Sequence, residues 1–534
     1  MPVLNAPMSS TKINLAAIYP RCRMLLGPDI WQQTISSHDL DRNPENFPEV
    51  IVSYALRAHL PEFLRELARL EWSVSQAKEK SISIPDDQKE SAINPSLLLL
   101  ELQWKNLAND VSSLSAQAPE PGKEYILIWK HPEDGEVHMK AASPEDLLIL
   151  KMISESIDRK EVAQIGAIST FVVDAAVDRA IDGGIIIAPP SRIRRDFDII
   201  EASPYAKKHF LISPSFTLQW HITQVCDLHC KHCYDRSDRS ALTLEQARKI
   251  IDDLDIFCRE RHVKGQISFT GGNPLMHPNF LSIYQAASDR GFTLFILGNP
   301  TTREQIETML SIRQPDFFQV SLEGLPEYND FIRGKRHFER TMGFLEILRE
   351  LGIYSMVMLT LTKENIHQVL PLAELLHGKA DVFFFNRLSK VGQGESLELP
   401  PRQDYLSFLE RYVDACDKNP VLGLKDNLIN VLNYQKGLEP FGGCTGFGCG
   451  AAFNFVAVLA DGEVHACRKF PSPIGNISYQ RIAEIYDSKI AQRYRSGSAE
   501  CRLCLLRPVC GGCLASAYSY GLDVFEKKDP YCFL

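Results

Sequence analysis

Residues 219–237 read QWHITQVCDLHCKHCYDRS. An alternating apolar run ends near Thr223 and reads as a strand. The loop after it offers Cys226, Cys230 and Cys233 at CxxxCxxC spacing. Iron–sulfur clusters ordinarily take four cysteine thiolates. Three from one compact loop either borrow a distant fourth or leave one iron open to a ligand that is not protein. Zinc is the competing reading, with His229 and His232 as further ligands, because Cys and His at short intervals are its usual signature. Reduced structural thiols are the plainest alternative.

The sequence downstream of the loop bears on this choice. A helical pattern over 242–262 (LTLEQARKIIDDLDIFCRERH) precedes the strand and turn QISFTGGNP at 266–274. A helix from about Asn279 to Arg290 and the strand FTLFIL at 292–297 come next. The series continues through the strand FFQVSLEG (317–324), the helix HFERTMGFLEILRELG (337–352), the strand IYSMVMLTLT (353–362), the helix ENIHQVLPLAELLHG (364–378) and the strand DVFFFN (381–386). Strands alternating with helices of this length predict parallel βαβ units in an α/β fold, with ligands at the carboxyl ends of the strands. Counting the strand before the cysteine loop, there are six.

Six such units opening on a three-cysteine loop resemble the partial (β/α)6 barrel of the radical S-adenosylmethionine (SAM) superfamily. The resemblance implies that Cys226, Cys230 and Cys233 hold a [4Fe–4S] cluster whose open iron chelates SAM, and that an electron from the cluster releases a 5'-deoxyadenosyl radical. It also implies a set of SAM contacts. The turn Thr270, Gly271, Gly272, Asn273, Pro274 stands where the family carries a GGEP-like motif, with Asn273 in place of the usual Glu. Adjacent glycines let backbone carbonyls approach a ligand closely. An ordinary strand-ending turn would use the same residues. By the same resemblance His232, Ser321, Glu323 and Asn386 border SAM.

The last ninety or so residues hold eight of the fourteen cysteines: 444, 449, 467, 501, 504, 510, 513 and 532. Eight thiolates suffice for two fully ligated four-iron clusters, although paired CxxC motifs are also zinc-like. CGAAFNFVAVLADGEVHAC (449–467) and then CRLCLLRPVCGGC (501–513) resemble the SPASM extension of peptide-modifying radical SAM enzymes. The resemblance implies an inner auxiliary cluster on Cys444, Cys449, Cys467 and Cys513, and an outer one on Cys501, Cys504, Cys510 and Cys532. Three [4Fe–4S] clusters with SAM would then be the cofactors. Two residues instead of the family's three separate Cys510 from Cys513. Cys22, Cys258 and Cys416 lie outside these groups, and Cys258 reads as a buried apolar residue on a helix.

Before the barrel stand about two hundred residues. SYALRAHLPEFLRELARLEWSVSQAKEK (53–80) and SLLLLELQWKNLAND (96–110) read as amphipathic helices across the polar break 81–95. EYILIWKHPEDGEVHMKAA (124–142) reads as a hairpin turning at Glu-Asp-Gly. Helices are expected over 143–156, capped by Ser143, over 159–167 and over 169–184. A hairpin with three helices is close in content to a winged helix, and LPEFLRELARLEW (60–72) resembles the accessory proteins of peptide-maturation systems. The expected domains are therefore a helical region (1–115), a winged-helix-like leader-peptide recognition region (116–205), the partial barrel (206–400), bridging helices (401–440) and the cysteine-rich SPASM domain (441–534).

A net charge of −9 argues against a broad nucleic-acid surface. No signal peptide and no membrane-length apolar run are read, so reduced thiols and a cytoplasmic setting are expected. Together these readings predict an oxidoreductase that modifies a ribosomal precursor peptide, fed by a flavodoxin- or ferredoxin-type electron donor. The long N-terminal region and the GGNP turn resemble the maturases of selenocysteine- or cysteine-rich peptides, which implies a substrate with a reactive thiol or selenol. Formylglycine formation by a sulfatase maturase is an alternative. It is weakened because Arg468 stands where those enzymes place a basic aspartate after the cysteine. A non-catalytic iron–sulfur or zinc scaffold is the alternative from another class.

Overall fold

The structure, a computed structural model, describes residues 14–36, 39–58, 60–82, 90–108, 118–166, 168, 170–195 and 203–534. The chain divides into two units, Met1–Pro190 and Ser191–Leu534.

In the first unit the short strands β1 (Ala92–Ile93) and β5 (Ile186–Ile187) pair antiparallel, and β2 (Leu98–Lys105), β3 (Glu120–Lys130) and β4 (Val137–Ala141) form an antiparallel sheet. The run expected as a second amphipathic helix is thus strand β2. Four successive leucines fit a helical stripe and a pleat equally well. The residues after them decide: Leu100, Leu102 and Trp104 are more buried than the intervening Glu101, Gln103 and Lys105, a period of two. β2 pairs with β3 (Leu100 opposite Ile126), so this sheet runs across the boundary expected at residue 115.

Strand β3 is apolar on both faces because both are covered. Ile126 and Ile128 join a core with helix Leu64–Glu79, whereas Leu127 and Trp129 join one with helices Pro144–Ser154, Arg159–Gly166 and Thr170–Asp182. The hairpin and three helices expected of a winged helix are present, but the hairpin belongs to a three-stranded sheet that a further helix covers from its other face. Ser143 caps its helix in a reciprocal pair with Asp146. The long helix expected over 53–80 is two, Phe47–Ala58 and Leu64–Glu79, separated around Pro61, which lacks an N–H and disfavours a helical residue before it. Residues 83–89 of the expected polar break and 109–110 of the run after it lie outside the described residues.

The second unit contains the expected partial barrel. Strands β6 (Ser215–Thr223), β7 (Lys264–Gly271), β8 (Thr293–Leu297), β9 (Phe317–Ser321), β10 (Ser355–Leu361) and β11 (Val382–Arg387) lie parallel in chain order. Helix Leu244–Arg261 shows why the crossovers pack: Ala247, Ile250, Ile251, Leu254 and Cys258 form one buried stripe, and Thr243 caps the start. Cys258 is therefore the core residue it was expected to be. Helix Arg303–Leu310 was not foreseen, because only Ile306 and Met309 of its eight residues are buried.

Three strands of the cysteine-rich region continue the same sheet. β12 (Phe455–Val458) lies parallel against β6, and β13 (Glu463–His465) and β14 (Pro473–Asn476) extend it antiparallel to nine strands. The barrel edge at β6, otherwise a row of unpaired backbone groups, is thereby covered. Among the described residues no helix is long and apolar enough to cross a membrane.

Candidate functional site

The carboxyl ends of β6, β7, β9 and β11 open on a cavity of about 1020 Å3. Of the expected site residues, Cys226, Cys230, Cys233, His232, Thr270, Gly271, Gly272, Ser321 and Asn386 line it. Asn273, Pro274 and Glu323 stand behind that wall, buried.

Backbone contacts set the shape of the cysteine loop. The Lys231 amide donates to Ile332 O (3.0 Å) and the Gln393 amide to Cys233 O (3.0 Å). At the loop's start, the Gly272 amide donates to Thr223 O and the Asn273 amide to Val225 O, each at 2.8 Å. The glycine pair is a steric requirement of this contact. A Cβ on Gly272 would lie 2.2 Å from Val225 O, and one on Gly271, whose φ is +126°, 2.3 Å from Thr223 O. Gly272→Ala is therefore expected to push back the backbone that delivers Cys226, at about 1–3 kcal/mol of overpacking. Iron analysis should show the loss of about a third of the bound metal while the rest of the unit stays folded.

Sequence reasoning named Asn273 and Glu323 but missed Asp227, Asn299 and Arg333, which hold this wall with them. Asn299 donates to Asp227 Oδ1 (2.6 Å) and reaches Cys226 Sγ (3.4 Å), and Asn273 donates to the same Oδ1 (3.2 Å). Arg333 donates to Glu323 Oε1 from two nitrogens (2.9 and 2.6 Å) and lies 3.8 Å from Cys230 Sγ. Glu323 accepts from the Thr360 amide with its other oxygen (2.7 Å). Burial opposes its ionisation, yet His232, Arg333 and the Thr360 amide keep its pKa below the ordinary carboxylate value. Burial also lowers the pKa of His232 to about 4, and its Nε2 lies 3.5 Å from Arg333 and 3.4 Å from Glu323 Oε1. Nothing in the motif names Arg333 or Asn299; each is a lone polar residue beyond a strand end.

The eight downstream cysteines fall into two groups. Cys444, Cys449, Cys467 and Cys513 surround a small cavity of about 50 Å3, and Cys444 and Cys467 also face the large one. After burial, Cys513 and Cys444 raise the pKa of Cys449, and Cys449 and Cys513 help push Cys467 up to about 12. In the other group burial raises Cys501 and Cys510 most; Cys504 and Cys532 add to the first, and Asp529, Cys501 and Cys532 to the second. Neighbouring thiols that oppose one another's ionisation are suited to a bound cationic core. Tetrahedral zinc at about 2.3 Å would bring its sulfurs to about 3.8 Å apart. Among the described residues none of these thiols belongs to a group of three ligand atoms within 4.8 Å, so they are not drawn up to the spacing of a single zinc ion. The donor set thus fits iron–sulfur clusters.

Polar side chains from the barrel hold the inner group. Arg387, at the end of β11, makes a buried bidentate pair with Asp529 (2.9 and 2.7 Å) and donates to the half-buried Asp426 (2.8 Å). Asp529 accepts from the Cys513 amide (3.0 Å). Asn427 accepts from the Cys444 amide (2.6 Å) and donates to Gly512 O (2.5 Å). Losing one partner of such a buried pair costs about 3–5 kcal/mol.

Two protein families match the chain. Residues 220–376 match the radical SAM superfamily, and residues 449–513 match SPASM, an iron–sulfur cluster-binding domain. The chain is 28% identical to an AdoMet-dependent heme synthase of Methanosarcina barkeri over 59% of this chain and 95% of that one. It is 24% identical to the antilisterial bacteriocin subtilosin biosynthesis protein AlbA of Bacillus subtilis over 59% and 72% of the two chains. Its fold is similar to that of Streptococcus suis SuiB bound to precursor peptide SuiA, with a TM-score of 0.51 and 18% identity over 77% of this chain and 96% of that one. The second unit makes up under two thirds of the chain, so this likeness of fold extends into the first unit.

Proposed function

We propose that this chain, whose residues 220–376 match the radical SAM superfamily and 449–513 match SPASM, is a radical SAM enzyme that oxidatively modifies a ribosomally made precursor peptide. The observation that carries the reading is the single cavity onto which both the Cys226–Cys233 loop and two downstream thiols, Cys444 and Cys467, open. Cys226, Cys230 and Cys233 would hold the first cluster, and the two downstream groups the other two. Bound there with SAM, the first cluster supplies a hydrogen-abstracting 5'-deoxyadenosyl radical.

The residues of this chain bind and orient. Thr270, Gly271, Gly272, Ser321 and Asn386 offer the SAM contacts, and the pair of buried Glu323 with half-buried Arg333 stands beside His232. The substrate would meet His221, buried and neutral, whose Nε2 has no hydrogen-bond partner, and Arg468, which donates to Thr270 Oγ1 (3.2 Å). Among the described residues no carboxylate pairs with Arg468, which weighs against a formylglycine-type base at this position. Removing two hydrogens from a peptide sends one to the adenosyl group as an atom, and leaves one electron and one proton to depart. The inner thiol group, facing the cavity, is suited to hold the acceptor, with a flavodoxin- or ferredoxin-type donor supplying the initiating electron.

The heme-synthase relative is matched over nearly its whole length by 59% of this chain, which leaves about two fifths of this chain without a counterpart there. A first unit with its own cores supports a peptide substrate, its leader bound by that unit. SuiB, whose fold extends into that unit, is bound to its precursor peptide. Thioether, crosslink, heterocycle and dehydrogenated products all fit, and a cysteine- or selenocysteine-rich peptide is the substrate class favoured by the resemblance.

Anaerobic incubation with SAM and a strong reductant should release 5'-deoxyadenosine, and a cysteine-containing precursor peptide should lose two hydrogens by mass spectrometry. No deoxyadenosine would sink the enzymatic reading. A mass change in an iron porphyrin, with none in the peptide, would move the substrate to the heme class.

A further inference from the structure

The hairpin of the first unit carries HPEDGEVH at 131–138, and its geometry is independent of the cavity chemistry. We propose that His131, Asp134 and His138 form a binding site for a zinc-class divalent metal ion. Their ligand atoms all lie within 4.8 Å of one another. Asp134 Oδ2 is 3.0 Å from His138 Nε2 and 3.8 Å from His131 Nδ1. Donors at about 2.0–2.2 Å from a shared ion stand roughly 3–4 Å apart, so all three reach one ion with little movement.

An exposed His138–Asp134 pair alone would be an ordinary surface contact. The third group and its support make it a site. Asp134 Oδ1 accepts from the Glu136 amide (2.8 Å), which aims Oδ2 between the two imidazoles. The His131 Nε2 lies 3.3 Å from Asp182 O at the end of helix Thr170–Asp182. Donating there leaves the lone pair on Nδ1, the atom that faces Asp134. A backbone carbonyl on the far nitrogen is the usual support of a metal-ligating histidine. Gly184 packs on the same ring, since a Cβ there would come 2.6 Å from His131 Cδ2. The Nδ1 also accepts a long bond from the Glu133 amide (3.3 Å), which a metal would replace.

Two imidazoles and one carboxylate suit zinc and its first-row neighbours rather than magnesium or calcium. Three protein ligands leave a coordination position open, and the side chains of Asp134 and His138 are 47% and 41% exposed, so water completes the shell.

The test uses the full-length, cluster-loaded protein equilibrated with buffered zinc and analysed for zinc and iron per chain. The wild type should hold one zinc that the double variant His131→Ala/His138→Ala lacks, at equal iron. Zinc bound adventitiously by cysteine would be the same in both proteins, and equal zinc, or none on the wild type, overturns the proposal. Should the variant misfold, hydrogen exchange of the wild-type 131–138 segment decides: slowing by zinc supports the site, and no change overturns it.

Discussion

Replacing Cys226, Cys230 and Cys233 together by alanine is expected to reduce 5'-deoxyadenosine release to background while about two thirds of the iron stays bound. The expectation rests on how the loop is built. Its course is set by main-chain bonds to Ile332 and from Gly272, Asn273 and Gln393, none of which involves a sulfur. The three side chains are partly exposed to the cavity, so truncating them removes ligands without opening the core. Trp220, Phe269 and Phe318, all fully buried, pack the barrel strands against their helices on the face away from the cavity. The eight downstream thiols lie in the region joined to the barrel through β12, and Arg387 fastens Asp529 beside Cys513 independently of the loop. Chromatography of the nucleoside product with parallel iron analysis checks both halves. Undiminished deoxyadenosine from the triple variant would show that the radical starts elsewhere, and loss of all iron would show that the loop organises the whole unit.

The reach of the sequence can be judged residue by residue. The six parallel strands were legible because each is a short apolar run with a helical stripe behind it, such as that from Ala247 to Cys258. The cysteine loop was legible because sulfur spacing is chemistry that few other functions require. Strand β2 was misread since the leucines at 97–100 satisfy either period; only Glu101, Gln103 and Lys105 break the tie. Asn299 and Arg333 were invisible for a different reason. Each acts through a contact with a residue distant in sequence, Asn299 with Cys226 and Arg333 with Cys230, and a single polar side chain has no period. β12 carried no sign that it would pair with β6, because strand pairing is a property of two segments and one of them lay more than two hundred residues earlier.

The grouping of the downstream thiols leads to the second large effect. Cys467→Ala removes a thiol from the group that faces the cavity, and Cys501→Ala one from the group that does not. With Cys467→Ala, 5'-deoxyadenosine should still form, because the loop and its Gly271–Gly272 support are untouched, but the modified peptide should fall to background. A two-electron oxidation begun by hydrogen abstraction cannot finish without an acceptor for the second electron, so radicals quench and cofactor is consumed without product. The ratio of deoxyadenosine to modified peptide therefore rises steeply, and a purely structural role would not produce this, since unfolding lowers both together. Cys501→Ala tests whether the second group extends the same path. Buried Cys501 and Cys510 share it with the more exposed Cys504 and Cys532, an arrangement suited to passing an electron on toward the surface. If the ratio rises in Cys501→Ala as well, the two groups act in series. If Cys467→Ala keeps the wild-type ratio, the inner group has no part in the oxidation, and two other residues that line the cavity, His221 and Arg468, become the place to look for the missing step.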